Sequence, residues 1–160
     1  MAPIQKPIKR SPQLAPLSRE HHEGLLFGWK LKQGLANGIE ERRISSFIEW
    51  FWQQHLQPHF TKEEQALPQL LSPAHPMIQQ MLHEHDDIKN RVEEAIEHGD
   101  LKKFDALAQA VTDHIRFEER QLFAEVEKRA SPEQLALLET VIKDEAHNDV
   151  WPDAFWIKPA

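Results

Sequence analysis

Two copies of one pattern carry the clearest chemical signal in the chain. HFTKEE, at 59–64, and HIRFEE, at 114–119, both have the form H-x-x-x-E-E. On an α-helix, residues four apart lie one turn apart on the same face, so the His and the first Glu of each copy can point at one spot. Imidazole and carboxylate together suit iron, manganese or zinc. The pattern therefore predicts a metal site shared by His59, Glu63, His114 and Glu118.

The second Glu of each copy should have a different role. Glu64 and Glu119 each lie about 100° around the helix from the first Glu of their copy. We therefore predict that these two carboxylates lie at the surface or next to a metal ligand, and do not bind the metal themselves.

A second repeated pattern lies upstream of each copy. Glu20-His21 and Glu84-His85 each place a Glu directly before a His. This predicts two helical hairpins, each with E-H on its first helix and H-x-x-x-E-E on its second. Packed together, they would bring four His and two Glu into one interior, where two carboxylates can bridge two metal ions. Without metal, burying two ionised carboxylates would cost several kcal/mol each.

The metal-binding His of the first helix has two candidates. His21 follows a Glu and lies nearer the middle of the apolar stripe of its helix, on which Leu25 is also expected. His22 has Leu25 at the spacing that Ile88 has from His85, the candidate on the third helix. His21 is preferred, but both His21 and His22 are predicted as metal ligands.

The remaining His residues are not assigned to the metal. His55 lies one turn before His59, and we interpret it as a packed residue or a hydrogen-bonding neighbour of the site. A role for His55 as a fifth His ligand stays open. His83 is two residues from His85, so it should point away from the site. The His residues expected in loops or at helix ends are His75, His98 and His147.

Long helices must position these residues. The first should begin with Ser18 as its cap and end near Ala36. The second should run from about residue 40 to Pro68 or Leu71, with a kink at Pro58 because proline removes a helical hydrogen bond. Its aromatic run, WFW, is interpreted as core that also helps to keep a metal pocket dry.

The rest of the chain continues the pattern. A third helix is predicted over 76–98, a fourth is capped by Asp100, and Ser131 begins a short fifth helix through a capping box. Short connections between long helices predict an all-α, up-down-up-down four-helix bundle. The predicted organisation is an extended segment over 1–16, the bundle over 17–130, and a C-terminal helix with an aromatic tail packed on it over 131–160.

Composition limits the classes of function. A length of 160 residues suits one domain, and a net charge of −7 argues against a broad nucleic-acid interface. The absence of Cys excludes disulfides, Cys-ligated zinc and iron–sulfur clusters. The sequence lacks the apolar core of a signal peptide and any stretch long enough to span a membrane. We therefore expect a cytoplasmic protein.

At these residues the sequence resembles the hemerythrin-like, HHE cation-binding family. The resemblance runs over roughly residues 17–128, through the motifs LSREHH, HFTKEEQALP, LHEHDDI and HIRFEERQLF. It implies a four-helix bundle with a non-haem di-iron centre that two carboxylates bridge. The positions that match the family's ligands with one candidate each are His59, Glu63, His85, His114 and Glu118. Oxygen-carrying hemerythrins use five His, so four would leave a metal position open or filled by another His.

The resemblance implies a protein that holds two iron ions and binds or responds to O₂, NO or peroxide. Zinc or manganese are alternative occupants, and a binding role is favoured over catalysis. Sensing, transport, storage and detoxification all fit this chemistry. The alternatives are a di-iron oxidase or peroxidase, a metal-storage or structural zinc bundle, and an interaction module that uses the aromatic C-terminal tail. The sequence does not determine the oligomeric state.

Overall fold

The computed structural model describes residues 9–142 and 150–158, and all regular structure in these residues is helical. The prediction of an all-α protein is therefore confirmed. No helix within these residues is both long and apolar enough to cross a membrane. In chain order the helices are α1 (Ala15–Ala36), α2 (Glu41–Phe51), π1 (Trp52–Leu56), α3 (Gln57–Ala66), α4 (Pro68–Leu71), α5 (Pro76–His98), α6 (Leu101–Phe117), π2 (Glu118–Leu122), α7 (Phe123–Arg129) and α8 (Pro132–Leu138).

The predicted caps of the later helices are present. α5 has the predicted bounds, and the Asp100 side chain accepts a hydrogen bond from the backbone N–H of Lys103 at 2.8 Å. At the start of α8, Ser131 and Gln134 each accept a bond from the other's backbone N–H. These bonds satisfy amide groups that have no partner inside the helix.

The first helix begins four residues earlier than predicted, with Leu14 rather than Ser18 at the cap position. α1 starts at Ala15, whose N–H donates to the Ser11 carbonyl at 3.0 Å, so Ser18 lies inside the helix and is not its cap. The prediction that residues 15 and 16 are extended was therefore wrong. The physical reason is Pro16, which suits the first turn because its missing N–H would have no helical partner there. Residues 1–8 of the predicted lead-in lie outside the described residues.

Each helix that carries H-x-x-x-E-E contains a π segment. In π1 the N–H of Gln57 donates to the carbonyl of Trp52, five residues earlier. This segment ends two residues before Pro58, which has no N–H to donate and was the predicted position of a kink. In π2 the N–H of Phe123 donates to the Glu118 carbonyl. Such segments are rare inside α-helices and are frequent at functional sites.

The candidate metal ligands lie between two apolar clusters. One cluster contains Phe27, Phe47 and Ile88, and the other contains Leu17 and Met81, so His85 on α5 falls between Met81 of one and Ile88 of the other. The same order holds on α1, where Leu17 and Phe27 flank His21 in sequence. The two apolar clusters enclose the site from both ends.

Close packing of α1 on α6 depends on a glycine. A Cβ at Gly28 would lie 2.9 Å from Thr112 Oγ1 and 3.3 Å from the Ala108 carbonyl oxygen. A larger side chain would therefore push the two helices apart. Because α1 and α6 carry His21 and His114, this contact helps to fix the distance across the site.

The aromatic C-terminal tail packs on the helices in its described part. Phe155 is 1% exposed, and its ring centroid lies 5.3 Å from that of Phe47 on α2. The Asp153 carboxylate accepts two hydrogen bonds from the Arg43 guanidinium, at 2.6 and 2.8 Å. These contacts place Trp151 and Trp156 beside α1 and α2.

Candidate metal centre

The interior of the protein holds a compact set of ionisable side chains. Glu63 and Glu118 have no exposed surface, and the four His are between 2% and 4% exposed. Among the described residues, the buried polar or charged side chains are His21, His59, Glu63, His85, His114 and Glu118. All six were predicted as ligands from the sequence, and the structure brings them together.

These six residues form two overlapping groups, each with four potential ligand atoms within 4.8 Å of one another. The first cluster is made of His21, His59, Glu63 and Glu118, and the second cluster is made of Glu63, His85, His114 and Glu118. The two carboxylates belong to both. Each cluster therefore offers two imidazoles and two shared carboxylates to an ion.

Each imidazole turns its Nε2 atom towards the shared carboxylates. The distances from Nε2 to the nearest carboxylate oxygen are 2.9 Å for His21 and Glu118, 3.0 Å for His114 and Glu118, 3.1 Å for His85 and Glu63, and 3.3 Å for His59 and Glu63. The two candidate ligands on each H-x-x-x-E segment thus face the same point, as the spacing of four predicts.

Four buried atoms at this point have no hydrogen-bond partner. They are His59 Nε2, His114 Nε2, Glu63 Oε2 and Glu118 Oε2. The two imidazole nitrogens lie near carboxylate oxygens, but the angles there are not those of a hydrogen bond. A buried polar atom without a partner is costly, and nearly all such atoms in proteins are satisfied. Four of them facing one another are explained by a cation that takes their lone pairs.

The opposite nitrogen of each imidazole, Nδ1, is held by a second carboxylate from the adjacent helix. We call these four residues the outer glutamates: Glu20 to His59 at 3.0 Å, Glu64 to His85 at 3.0 Å, Glu84 to His114 at 2.8 Å, and Glu119 to His21 at 2.7 Å. They form a closed ring, from α1 to α3, α3 to α5, α5 to α6, and π2 back to α1. An Nδ1–H donated outward leaves Nε2 free to bind a metal.

Two outer glutamates were anticipated and two were missed. Glu64 and Glu119 were predicted to face away from the metal, and they do so by bonding imidazoles. Glu20 and Glu84 were recognised only as the first letter of the E-H repeat. Their signal is that repeat itself, because a Glu one position before a His points about 100° away and reaches the His of the next helix.

Aromatic rings fix two of the imidazoles. The Phe60 ring stacks on His85 with centroids 3.8 Å apart, and the Phe123 ring stacks on His21 at 5.1 Å. Arg10 closes this side of the site, because its guanidinium lies 5.6 Å from the Phe123 centroid and bonds the Glu119 carboxylate at 3.2 Å. The segment before α1 thus supports the outer glutamate of His21.

Opposite charges outweigh burial in setting the pKa values of the metal-free site. Burial disfavours the imidazolium form, yet the Glu118 carboxylate raises the pKa of His114 to about 9. Burial and Glu118 oppose ionisation of Glu63, but His59 and His21 lower its pKa to about 2. The pKa values of His21 and His85 are also raised, against burial, by the Glu118 and Glu63 carboxylates beside them. Protons therefore occupy the site without metal and must leave when a metal binds.

The structure separates the two candidates on the first helix. His21 is buried in the first cluster, whereas His22 is exposed and belongs to neither cluster. Leu25, which was expected on the buried stripe and supported His22 by its spacing, is 40% exposed. Its place on the buried face is taken by Gly24, one residue earlier, which packs against Ile115 of α6.

The other His residues lie away from the clusters. His55 is half-buried, and its ring stacks on Phe51 with centroids 5.0 Å apart. His75 caps α5 by accepting from the Met77 N–H at 3.1 Å. His83 and His98 are exposed, and His147 lies outside the described residues.

The comparisons with known proteins gave one match. A family model described as the hemerythrin HHE cation binding domain matches residues 15–126, which is more than half of the chain. The matched span contains both clusters and all four outer glutamates. No curated protein and no solved structure matched the chain.

Proposed function

Because the chain belongs to the hemerythrin HHE cation-binding domain family, we propose that it is a non-haem di-iron protein that binds or responds to O₂, NO or peroxide. The observation that carries this proposal is the pair of buried clusters that share two carboxylates. One ion would take the first cluster and one the second, with Glu63 and Glu118 as the residues common to both.

The donor set fits iron. Imidazole nitrogen and carboxylate oxygen are ligands of iron, manganese and zinc, and the chain has no thiolate to offer. Four donors per ion leave room for another ligand on a six-coordinate ion. The unpartnered atoms His59 Nε2 and His114 Nε2 support an occupied site. Bound iron would supply redox chemistry and an open coordination position for the small ligand.

The protein's own residues would fix the geometry and restrict access. The outer glutamates hold each imidazole in one orientation with Nε2 directed inward, and changes at such positions commonly alter metal affinity by about 10- to 100-fold. Phe60 and Phe123 cover two imidazoles and exclude water from those faces. Their role supports ligand binding over free exchange of metal with solvent.

We also infer an up-down-up-down bundle of α1, the α2–α3 stretch, α5 and the α6–α7 stretch. The closed ring of outer glutamates supports it, because each long helix contributes one carboxylate to the next. The short connections between these helices favour antiparallel neighbours.

The proposal is tested by loading the metal-free protein anaerobically with ferrous iron and then adding O₂ or NO. A charge-transfer absorption band that appears on addition supports it. His59→Ala should weaken the band because it removes a ligand of the first cluster, while the exposed His98→Ala serves as the matched control. Tight zinc binding with no spectral response of the iron-loaded protein would overturn it in favour of a structural or storage site. Bleaching with repeated turnover would replace it with an oxidase or peroxidase.

A further inference from the structure

The outer glutamates of the first cluster are each paired with a cation. Glu119 accepts a hydrogen bond from the Arg10 guanidinium at 3.2 Å, and Arg10 also donates to the Glu119 backbone carbonyl. Glu20 accepts a hydrogen bond from Lys62 Nζ at 3.2 Å. These two glutamates hold the two imidazoles of the first cluster. A cation therefore lies behind each imidazole that the first cluster offers to a metal.

The outer glutamates of the second cluster have no such cation. Glu84 accepts from the neutral side-chain amide of Gln80 at 2.9 Å, in addition to its bond with His114. Glu64 bonds His85. In the part of the chain that the structure describes, neither of these glutamates forms an ion pair with a lysine or an arginine. No neighbouring cation therefore offsets the negative charge behind the second cluster.

The ligand sets themselves give no reason for the two clusters to differ. Each cluster offers two imidazoles and both shared carboxylates. Solvent also acts alike on three of the outer glutamates, because Glu20, Glu119 and Glu84 are 21%, 23% and 28% exposed. Glu64 is 44% exposed, so water weakens its field in part. The paired cations are the main difference that remains.

Arg10 lies where its charge acts strongly. Its side chain is 5% exposed, and a charge away from water interacts more strongly than one at the surface. The guanidinium remains charged at any pH at which the protein is folded. Arg10 also bonds Glu127, so it offsets only part of the charge of Glu119.

An outer carboxylate makes its imidazole a better metal ligand, because it accepts the Nδ1 proton and raises the basicity of Nε2. A cation bound to the same carboxylate reduces this effect. We propose that Arg10 and Lys62 make the two metal positions unequal, so that the second cluster binds its ion more tightly and fills first. The inference rests on the two-metal site of the proposed function, but it does not require the metal to be iron.

The test uses zinc, which has no redox chemistry and binds imidazole nitrogen. Half an equivalent is added to the metal-free full chain with ¹⁵N-labelled His, and the imidazole nitrogens are followed by nuclear magnetic resonance. Changes around an outer carboxylate commonly alter metal affinity by about 10- to 100-fold, so two partial offsets should give a preference of roughly tenfold, or about nine of ten ions in the second cluster. Nε2 of His85 and His114 should therefore move to metal-bound values first, and Nε2 of His21 and His59 only when more zinc is added.

Substitutions separate the charge of these cations from their packing. Arg10→Gln should lower the preference to about threefold, and adding Lys62→Met should make the two clusters fill about evenly. Arg10→Lys keeps the charge and should keep the preference. Lys62→Met alone should lower the preference through Glu20 without altering the segment before α1. Arg91→Gln is the matched control, because Arg91 pairs with Asp87 at 2.8 Å on an exposed face of α5, and it should change nothing.

Three results would overturn the inference. They are first ions that enter the first cluster or divide evenly in the unmodified protein, an unchanged preference in both Arg10→Gln and Lys62→Met, and the same loss of preference in Arg10→Lys as in Arg10→Gln. Fewer than two zinc ions at saturation would refute the two-metal site of the proposed function, and this inference with it. Two ions that bind in the reverse order would refute the inference alone.

Discussion

The metal-free protein should lose stability as the pH rises from 6 to 9.5. Burial favours neutral His114, but the Glu118 carboxylate 3.0 Å away raises its pKa to about 9. The pKa of this His in the unfolded chain is 6.5. The imidazolium–carboxylate contact therefore stabilises the folded state fully below pH 6.5, and this contribution disappears as the pH passes 9.

The size of the effect follows from the two pKa values of His114. Each pH unit between them corresponds to about 1.4 kcal/mol, so the loss is roughly 3 kcal/mol. His21 and His85 change stability in the same direction because their pKa values are also raised against burial. The lowered pKa of Glu118 reflects the same contacts with these His, so it is not counted as a further loss of stability. A loss of this size is a large part of the 5–15 kcal/mol that is typical for a domain.

The assay is urea unfolding followed by circular dichroism at pH 6, 7.5 and 9, with a chelator present. His114→Gln should reduce the dependence on pH, whereas His98→Gln, at an exposed helix end, should leave it unchanged. Saturating zinc should reverse the slope, because metal ligands must be deprotonated. Equal stability at pH 6 and 9 in the unmodified protein would refute the reasoning.

Three further predictions concern an outer glutamate, a packing contact and the protons of the metal-free site. Glu84→Gln removes the charge that orients His114, so it should weaken metal binding roughly 10- to 100-fold in a chelator competition. Glu97→Gln, on the exposed side of α5, should have no effect. Gly28→Ala should lower the free energy of unfolding by about 1–3 kcal/mol, because the added Cβ would lie 3.3 Å from the Ala108 carbonyl oxygen. An unchanged midpoint of urea unfolding would contradict the close packing of α1 on α6. Metal loading at pH 7 should release protons into a weak buffer, and fewer at pH 9.5, as measured with an indicator dye; no release would mean that the His are neutral without metal.

Much of the candidate metal centre could be predicted because its candidate ligands follow helical spacing. His59 and Glu63 are four residues apart, and the pattern recurs at His114 and Glu118. Spacing on one helix places two side chains on one face whatever the tertiary packing. The repeat then implied that both faces meet, and the structure shows that they do.

The parts that sequence did not predict depend on contacts between helices. Glu20 forms a hydrogen bond with His59, which is 39 residues away. No local pattern encodes which helix lies next to α1. Likewise, Trp151 lies beside Trp50 only because the tail folds back on α2. The start of α1 was misplaced for a local reason, since Ser18 resembles a cap but Pro16 already permits the first turn.

The direct measurement of the central claim is the metal content of the protein after anaerobic loading with ferrous iron and removal of loosely bound metal. Two shared carboxylates predict two ions per chain, falling below two in Glu63→Ala and Glu118→Ala and staying at two in Glu49→Ala, an exposed control on α2. Two ions retained in both carboxylate variants, or a single ion in the unmodified protein, would contradict a site that Glu63 and Glu118 share.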